Sequence, residues 1–351
     1  MWTHRIWRPH RDLAARTVTE LTAGRPQSFV RLPSGHQLAA GMNLGEIGGA
    51  VYATRGEAAP GTGGPADRLA EQDRDGLAAE LLFPSPMLGA LAADVRSVAG
   101  GEAVEAVIRG YNDFLIKDYC SAAPDRLIPV PVLPPTSMSA ALAELERLVC
   151  SDKVRTVCLV GHPNGSEHGG SEDLPFWRVV EQSGLTLAIH KAIARLRIPP
   201  SAEVGDLRRT LVRSVERPTA ATFVELFLAG VFEAAPGLRL YFAESEVSWL
   251  PSAIASLDDA VSRYRRTVEW PYYRTPIDCL ESCYFGIVRD RLLTDVASVV
   301  PFDHLLWGSD FPHSITTFPD SRDFVATAYG RFGDAAVRLL TGGTASTLGF
   351  F

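Results

Sequence analysis

The stretch Leu305-Leu306-Trp307-Gly308-Ser309-Asp310-Phe311-Pro312-His313 decides how the whole chain is read. An apolar run ends in Gly-Ser-Asp, and Pro312, which has no backbone donor, stops the ladder. The pattern predicts a buried strand over Leu305–Gly308 with the Asp310 carboxylate at its C-terminal lip. There it can reach a metal ion or a reacting proton. The same aspartate could equally cap the following turn, so its meaning depends on what the other strand ends carry.

Upstream, short apolar runs predict strands at Leu77–Pro84, Leu127–Leu133, Thr156–Val160, Leu185–His190, Leu238–Ala243 and Ser282–Val288. Helical spacing predicts helices at Ala103–Ala122, Ser137–Val149, Phe176–Ser183, Thr222–Ala235, Trp249–Thr267 and Ser321–Phe332, with Ser137 or Ser139 as a cap. This alternation of apolar strands and helices means a parallel sheet covered by helices. A doubly wound sheet and a closed barrel both satisfy it. Polar residues fall at many strand ends: His162, His190, Glu244 and Asp310. They converge only if the sheet closes, and no Gly-x-Gly-x-x-Gly follows the first clear strand. The expected fold is therefore α/β, a (β/α)8 TIM barrel in one domain over residues 1–351. A Gly-rich excursion at about 41–65, with little to pack, interrupts it and reads as a long loop bordering the site.

Composition narrows the function. Lys and Arg total 34 against 41 Asp and Glu, a net charge of −7, which argues against a protein held on nucleic acid by phosphate neutralisation. With 46% hydrophobic residues the chain is not globally disordered. No apolar run approaches the ~18 residues of a membrane span, and the N-terminus lacks the apolar core of a signal peptide. The odd set Cys120, Cys150, Cys158, Cys279 and Cys283 reads as reduced thiols in a cytoplasmic protein. Cys279 and Cys283 have no second Cys/His pair to complete a zinc site, so buried structural thiols are expected.

Each candidate has a plainer reading beside its chemical one. His190 closing an apolar strand can be a hydrogen-bonded core residue, but with a carboxylate at another strand end it becomes an imidazole ligand for zinc. Glu244 can ligate or simply favour a helix N-terminus. His162, in Gly161-His162-Pro163-Asn164-Gly165, is a surface turn or a substrate contact. His313 can bind substrate or orient Asp310. His304 precedes its strand and so belongs to the stability face. His4, His10, His36 and His168 have no ligand-like spacing and are expected to be solvated.

Trp-Gly-Ser-Asp-Phe-Pro-His at 307–313 resembles the last-strand motif of the amidohydrolase-related family, in its aminocarboxymuconate-semialdehyde decarboxylase-like branch. The resemblance extends to Gly76–Pro84 after Asp73-Arg74-Asp75, to Tyr111-Asn112-Asp113-Phe114, to Pro124-Asp125-Arg126-Leu127 and to Arg239–Pro251. It implies a divalent ion, zinc or manganese, at the barrel mouth, with His190 and Asp310 as metal ligands. Asp310, His313 and Glu244 would then be catalytic, and His162 and Trp307 substrate-binding. Glu244 stands where many members place a histidine.

The implied activity is non-oxidative decarboxylation of a small hydroxylated, aromatic carboxylic acid. The alternatives are metal-dependent hydrolysis of a C–N, C–O or C–C bond, or a catalytically impaired homologue. Expected partners are a small-molecule substrate and a second copy in a homodimer. One departure stands out: the family's first strand ends in His-x-His, and this sequence contains none. The predicted strands are one short of the eight that close such a barrel. The simplest expectation is a start downstream of the true one, and the rival is a genuine loss of those ligands.

Overall fold

The structure, a computed structural model, describes residues 10, 13, 16–22, 25–39, 63–84, 86–166, 168–190, 218–267, 271–313 and 315–351. His4 and most of the Gly-rich excursion lie outside these residues.

Strands β1 (Arg16–Thr22), β2 (Arg25–Arg31) and β3 (Gln37–Ala39) form an antiparallel sheet in the order β1-β2-β3, with Arg16 opposite Arg31 and Val30 opposite Leu38. The sequence reading did not anticipate this sheet. Its signals are the β-branched run Thr17-Val18-Thr19 and the small pair Ala23-Gly24 between two strand-length segments.

The remaining strands are all parallel: β4 (Glu80–Leu82), β5 (Leu127–Pro129), β6 (Val132–Leu133), β7 (Thr156–Leu159), β8 (Thr186–His190), β9 (Leu240–Ala243), β10 (Cys283–Ile287) and β11 (Leu305–Trp307). They pair as β4-β5 and as β11-β10-β9-β8-β7-β6. The expected Leu127–Leu133 strand is divided because Pro131 has no N–H for a ladder. Val130 N still donates to Leu82 O (3.2 Å), and Cys158 N donates to Pro131 O (2.7 Å). One chain segment thus passes from β4 to β7 and joins the two sheets. Among the described residues no strand bridges β11 to β4.

The helices are α1 (Pro65–Asp75), α2 (Pro86–Phe114), α3 (Met138–Val149), α4 (Leu174–Ser183), α5 (Pro218–Leu228), α6 (Val231–Ala234), α7 (Leu250–Tyr264), α8 (Leu293–Val296), α9 (Ser321–Tyr329), α10 (Asp334–Arg338) and α11 (Thr344–Thr347). Pro65, expected in a loop, opens α1, since its fixed φ suits the first helical position. Gly76, at φ 74°, ends it. Helical residues run from Pro86 but break at Gly100 (φ 82°, ψ −173°), so the segment after the break begins close to the expected Ala103. The Thr222–Ala235 helix divides at Gly230, φ 76°, into α5 and α6. Ser137, not Ser139, caps α3: its Oγ accepts from Ala140 N at 3.2 Å.

Alternation along the strands separates two apolar layers. Val157, Leu159, Leu187, Ile189, Leu240, Phe242, Phe285 and Leu305 pack beneath the helices. Cys158, Ala188, Tyr241, Ala243 and Leu306 face the other way. No helix among the described residues is long and apolar enough to cross a membrane.

Candidate active site

The site is built from the C-terminal ends of β8, β9 and β11. His190 is the last residue of β8, paired in register with Ala243 of β9. It lies two residues beyond Ala188 and therefore on the same sheet face. Glu244 follows β9 directly, and its carboxylate Oε2 lies 3.1 Å from His190 Nε2. Asp310 follows β11, and its Oδ1 lies 2.8 Å from His313 Nδ1. Ligand atoms of Glu244, Asp310 and His313 lie within 4.8 Å of one another. Four of the six predicted site residues thus meet through Glu244, from strand ends more than fifty positions apart.

Local backbone aims these carboxylates. Glu244, Glu246 and Asp310 have φ of 53°, 51° and 53°, the left-handed region that costs a residue with a side chain about 1–3 kcal/mol. Around Glu244 the conformation is held from β10. Ser245 N and Glu246 N both donate to Gly286 O, at 2.9 and 3.1 Å. A Cβ on Gly286 would lie 2.8 Å from Glu244 N, so only glycine allows this approach. The Glu246 carboxylate accepts from Arg289 N (3.0 Å) and Val288 N (3.3 Å). Trp249 Nε1 donates to Ser245 O and Glu246 O, and Asp290 Oδ2 accepts from Val247 N and Ser248 N. Burial pushes the Glu246 carboxyl up to about 7, partly offset by the Arg289 N–H it accepts from. Beside the cluster, Phe83 lies 5.3 Å from the His190 ring and 6.3 Å from Tyr241. Burial, with the nearby Glu244 charge, keeps the Tyr241 phenol protonated.

The other two predicted residues are not part of this cluster. His162 is buried rather than a surface turn, because Gly169 and Glu225 close over it: Nε2 lies 3.6 Å from Glu225 Oε2. Trp307, expected at the substrate, packs instead against the helix-side layer with Leu305, because strand alternation turns it away from the face of Leu306. Its Nε1 is buried without a hydrogen-bond partner among the described residues. His304 stacks on Tyr284 at 4.6 Å before β11, and His36 and His168 are exposed, as expected. Cys279 and Cys283 are buried free thiols. The sequence reading missed Glu246, Gly286, Phe83 and Tyr241. The second glutamate of Glu244-Ser245-Glu246 and a glycine inside an apolar strand were the available signals.

The family model described as amidohydrolase matches residues 1–348. The fold is similar to that of an amidohydrolase from Mycobacterium avium subsp. paratuberculosis K-10 (TM-score 0.71, 17% identity, 99% of this chain and 94% of that one). It is similar to 5-carboxyvanillate decarboxylase from Sphingomonas paucimobilis (TM-score 0.64, 19% identity, 85% and 86% covered). A dihydroxybenzoic acid decarboxylase from Polaromonas sp. JS666, with bound manganese and the inhibitor 2-nitroresorcinol, is also similar (TM-score 0.64, 19% identity, 80% and 84% covered). No curated protein matches the sequence. The parallel strand order and helical cover agree with the barrel fold of these proteins.

Proposed function

The chain belongs to the amidohydrolase family, and from that premise we propose that it is a divalent-metal-dependent, non-oxidative decarboxylase of a small hydroxylated aromatic acid. The observation that carries this reading is the convergence of His190, Glu244, Asp310 and His313. Glu244, Asp310 and His313 within reach of one point, with the His190 imidazole against Glu244, are a donor set that suits a divalent ion. His190 and Asp310 would hold it. When bound, zinc or manganese supplies positive charge for the substrate's carboxylate and neighbouring hydroxyl. The similarity to two hydroxybenzoate-type decarboxylases supports the choice of reaction.

The protein's own groups then have defined tasks. Phe83 offers an aromatic wall next to His190, which favours a flat ring over an aliphatic acid. Asp310 delivers a proton to the ring carbon that bears the carboxylate. The bond from that carbon to the carboxylate breaks, its electron pair returns to the ring, and carbon dioxide leaves. His313, 2.8 Å from Asp310 Oδ1, returns a proton to it from solvent. The same reading makes the protein a cytoplasmic homodimer, and light scattering checks the mass.

The experiment is metal analysis of the purified protein followed by a panel of hydroxylated benzoic acids, with carbon dioxide release as the readout. Stoichiometric metal and turnover of at least one acid are expected. A metal-loaded protein inert toward the whole panel rejects the decarboxylase reading.

A further inference from the structure

We propose that Glu244 is itself a metal ligand, so that the ion sits between two carboxylates, Glu244 and Asp310, flanked by the His190 and His313 imidazoles. This donor set shifts preference toward manganese or magnesium and away from zinc. The inference rests on the metal dependence proposed above and is independent of decarboxylation.

Three observations point to it. A Glu244 oxygen, an Asp310 oxygen and a His313 nitrogen already lie within 4.8 Å of one another. Glu244 Oε2 is also 3.1 Å from His190 Nε2, so the same carboxylate touches that imidazole as well as the Asp310–His313 pair. Finally, the Glu244 turn is held in place by its neighbours: Ser245 N and Glu246 N donate to Gly286 O, the Glu246 carboxylate accepts from Val288 N and Arg289 N, and Asp290 accepts from Val247 N and Ser248 N. A rigid backbone with an inward carboxylate is how a protein pre-organises a ligand. Carboxylate oxygens suit manganese and magnesium, whereas imidazole nitrogens suit zinc. A second carboxylate therefore sets the relative affinity.

The test titrates the chelator-stripped full chain with manganese and, separately, zinc, in competition with a metallochromic indicator. Glu244→Gln, which keeps the side chain's shape, is expected to weaken manganese binding by about 10-fold or more. Glu244→His is expected to raise the ratio of zinc to manganese affinity by about 10-fold or more. Gly286→Ala changes no donor but drives Glu244 N aside, and manganese affinity is expected to fall while the melting curve stays cooperative. Unchanged manganese affinity in Glu244→Gln, or an unmoved ratio in Glu244→His, overturns the inference. If both substitutions unfold the chain, Gly286→Ala decides: unchanged affinity in a folded Gly286→Ala protein overturns it as well. A shifted ratio in a protein inert toward every acid would leave the inference standing and remove the proposed reaction. Turnover with an unmoved ratio would do the reverse.

Discussion

The proposed chemistry rests chiefly on Asp310. It sits at φ 53°, next to His313, within reach of Glu244. Asp310→Asn keeps the shape but removes the proposed proton donor. We expect kcat/KM against a reactive acid to fall by about 10²–10⁴-fold, with the melting temperature of the metal-free protein little changed. A second residue-scale prediction concerns His162. Burial foremost holds its pKa below the ordinary value near 6.5, although Glu225, Asp173 and Glu172 pull the other way and His168 adds to the depression. Between the depressed and ordinary values the unfolded chain binds more protons than the folded one. Stability should therefore rise with pH through that window and be lost on acidification. His162→Gln is expected to flatten this dependence in urea titrations from pH 5 to 7, and an unaltered slope would count against the assignment. Of these residues, Asp310 was legible because Gly-Ser-Asp-Phe-Pro after an apolar run is a distinctive local string. The burial of His162 was not, because its covering residues Gly169 and Glu225 are seven and sixty-three positions away.

At the scale of elements, α1 supports the loop that carries Asp310 and His313. Arg68, ion-paired with Glu80 of β4, stacks over Phe311 at 3.7 Å. Arg74 lies over Phe318 at 5.4 Å. Asp75 accepts from Ser321 N (2.9 Å) and Ser321 Oγ (2.7 Å), and Arg322 Nε donates to Gly76 O (3.3 Å). The string Asp73-Arg74-Asp75-Gly76 is visible in the sequence as an aspartate-rich turn before an apolar run. Its attachment to residues more than two hundred positions later is not, since hydrogen bonds across such separations leave no local period. Asp75→Ala strands the Ser321 N–H and hydroxyl. A loss of about 1–3 kcal/mol of stability is expected in urea unfolding, with kcat reduced as the Asp310 loop loosens. Wild-type kcat in a destabilised Asp75→Ala protein would show that α1 is only a stability element.

For the whole molecule, thiol chemistry and metal linkage give two further tests. Cys150 is exposed, whereas burial pushes Cys120, Cys158 and Cys279 up to about 12 and holds Cys283 well above the ordinary thiol value too. A thiol reagent at neutral pH is expected to modify Cys150 quickly and the other four only on unfolding, which mass spectrometry of the native protein would show. Chelation should abolish activity and lower the melting temperature together. An ion at 100 times its dissociation constant adds about 2.7 kcal/mol to the folded state, so readdition of manganese should restore both.

The sequence alone determined the α/β class, the parallel strand series from Leu77 onward and the polar strand ends His190, Glu244 and Asp310. All of these are carried by local period and local composition, which burial on two faces imposes. Tertiary structure decided which of those ends meet. It placed His190 beside Glu244 and Asp310 beside Glu244, buried His162 elsewhere and turned Trp307 toward the helices. It also showed that the Glu244 turn depends on Gly286 of the neighbouring strand. The reason is that a ligand set depends on distances between side chains far apart in sequence. Those distances follow from strand register and backbone conformation, which no single segment specifies.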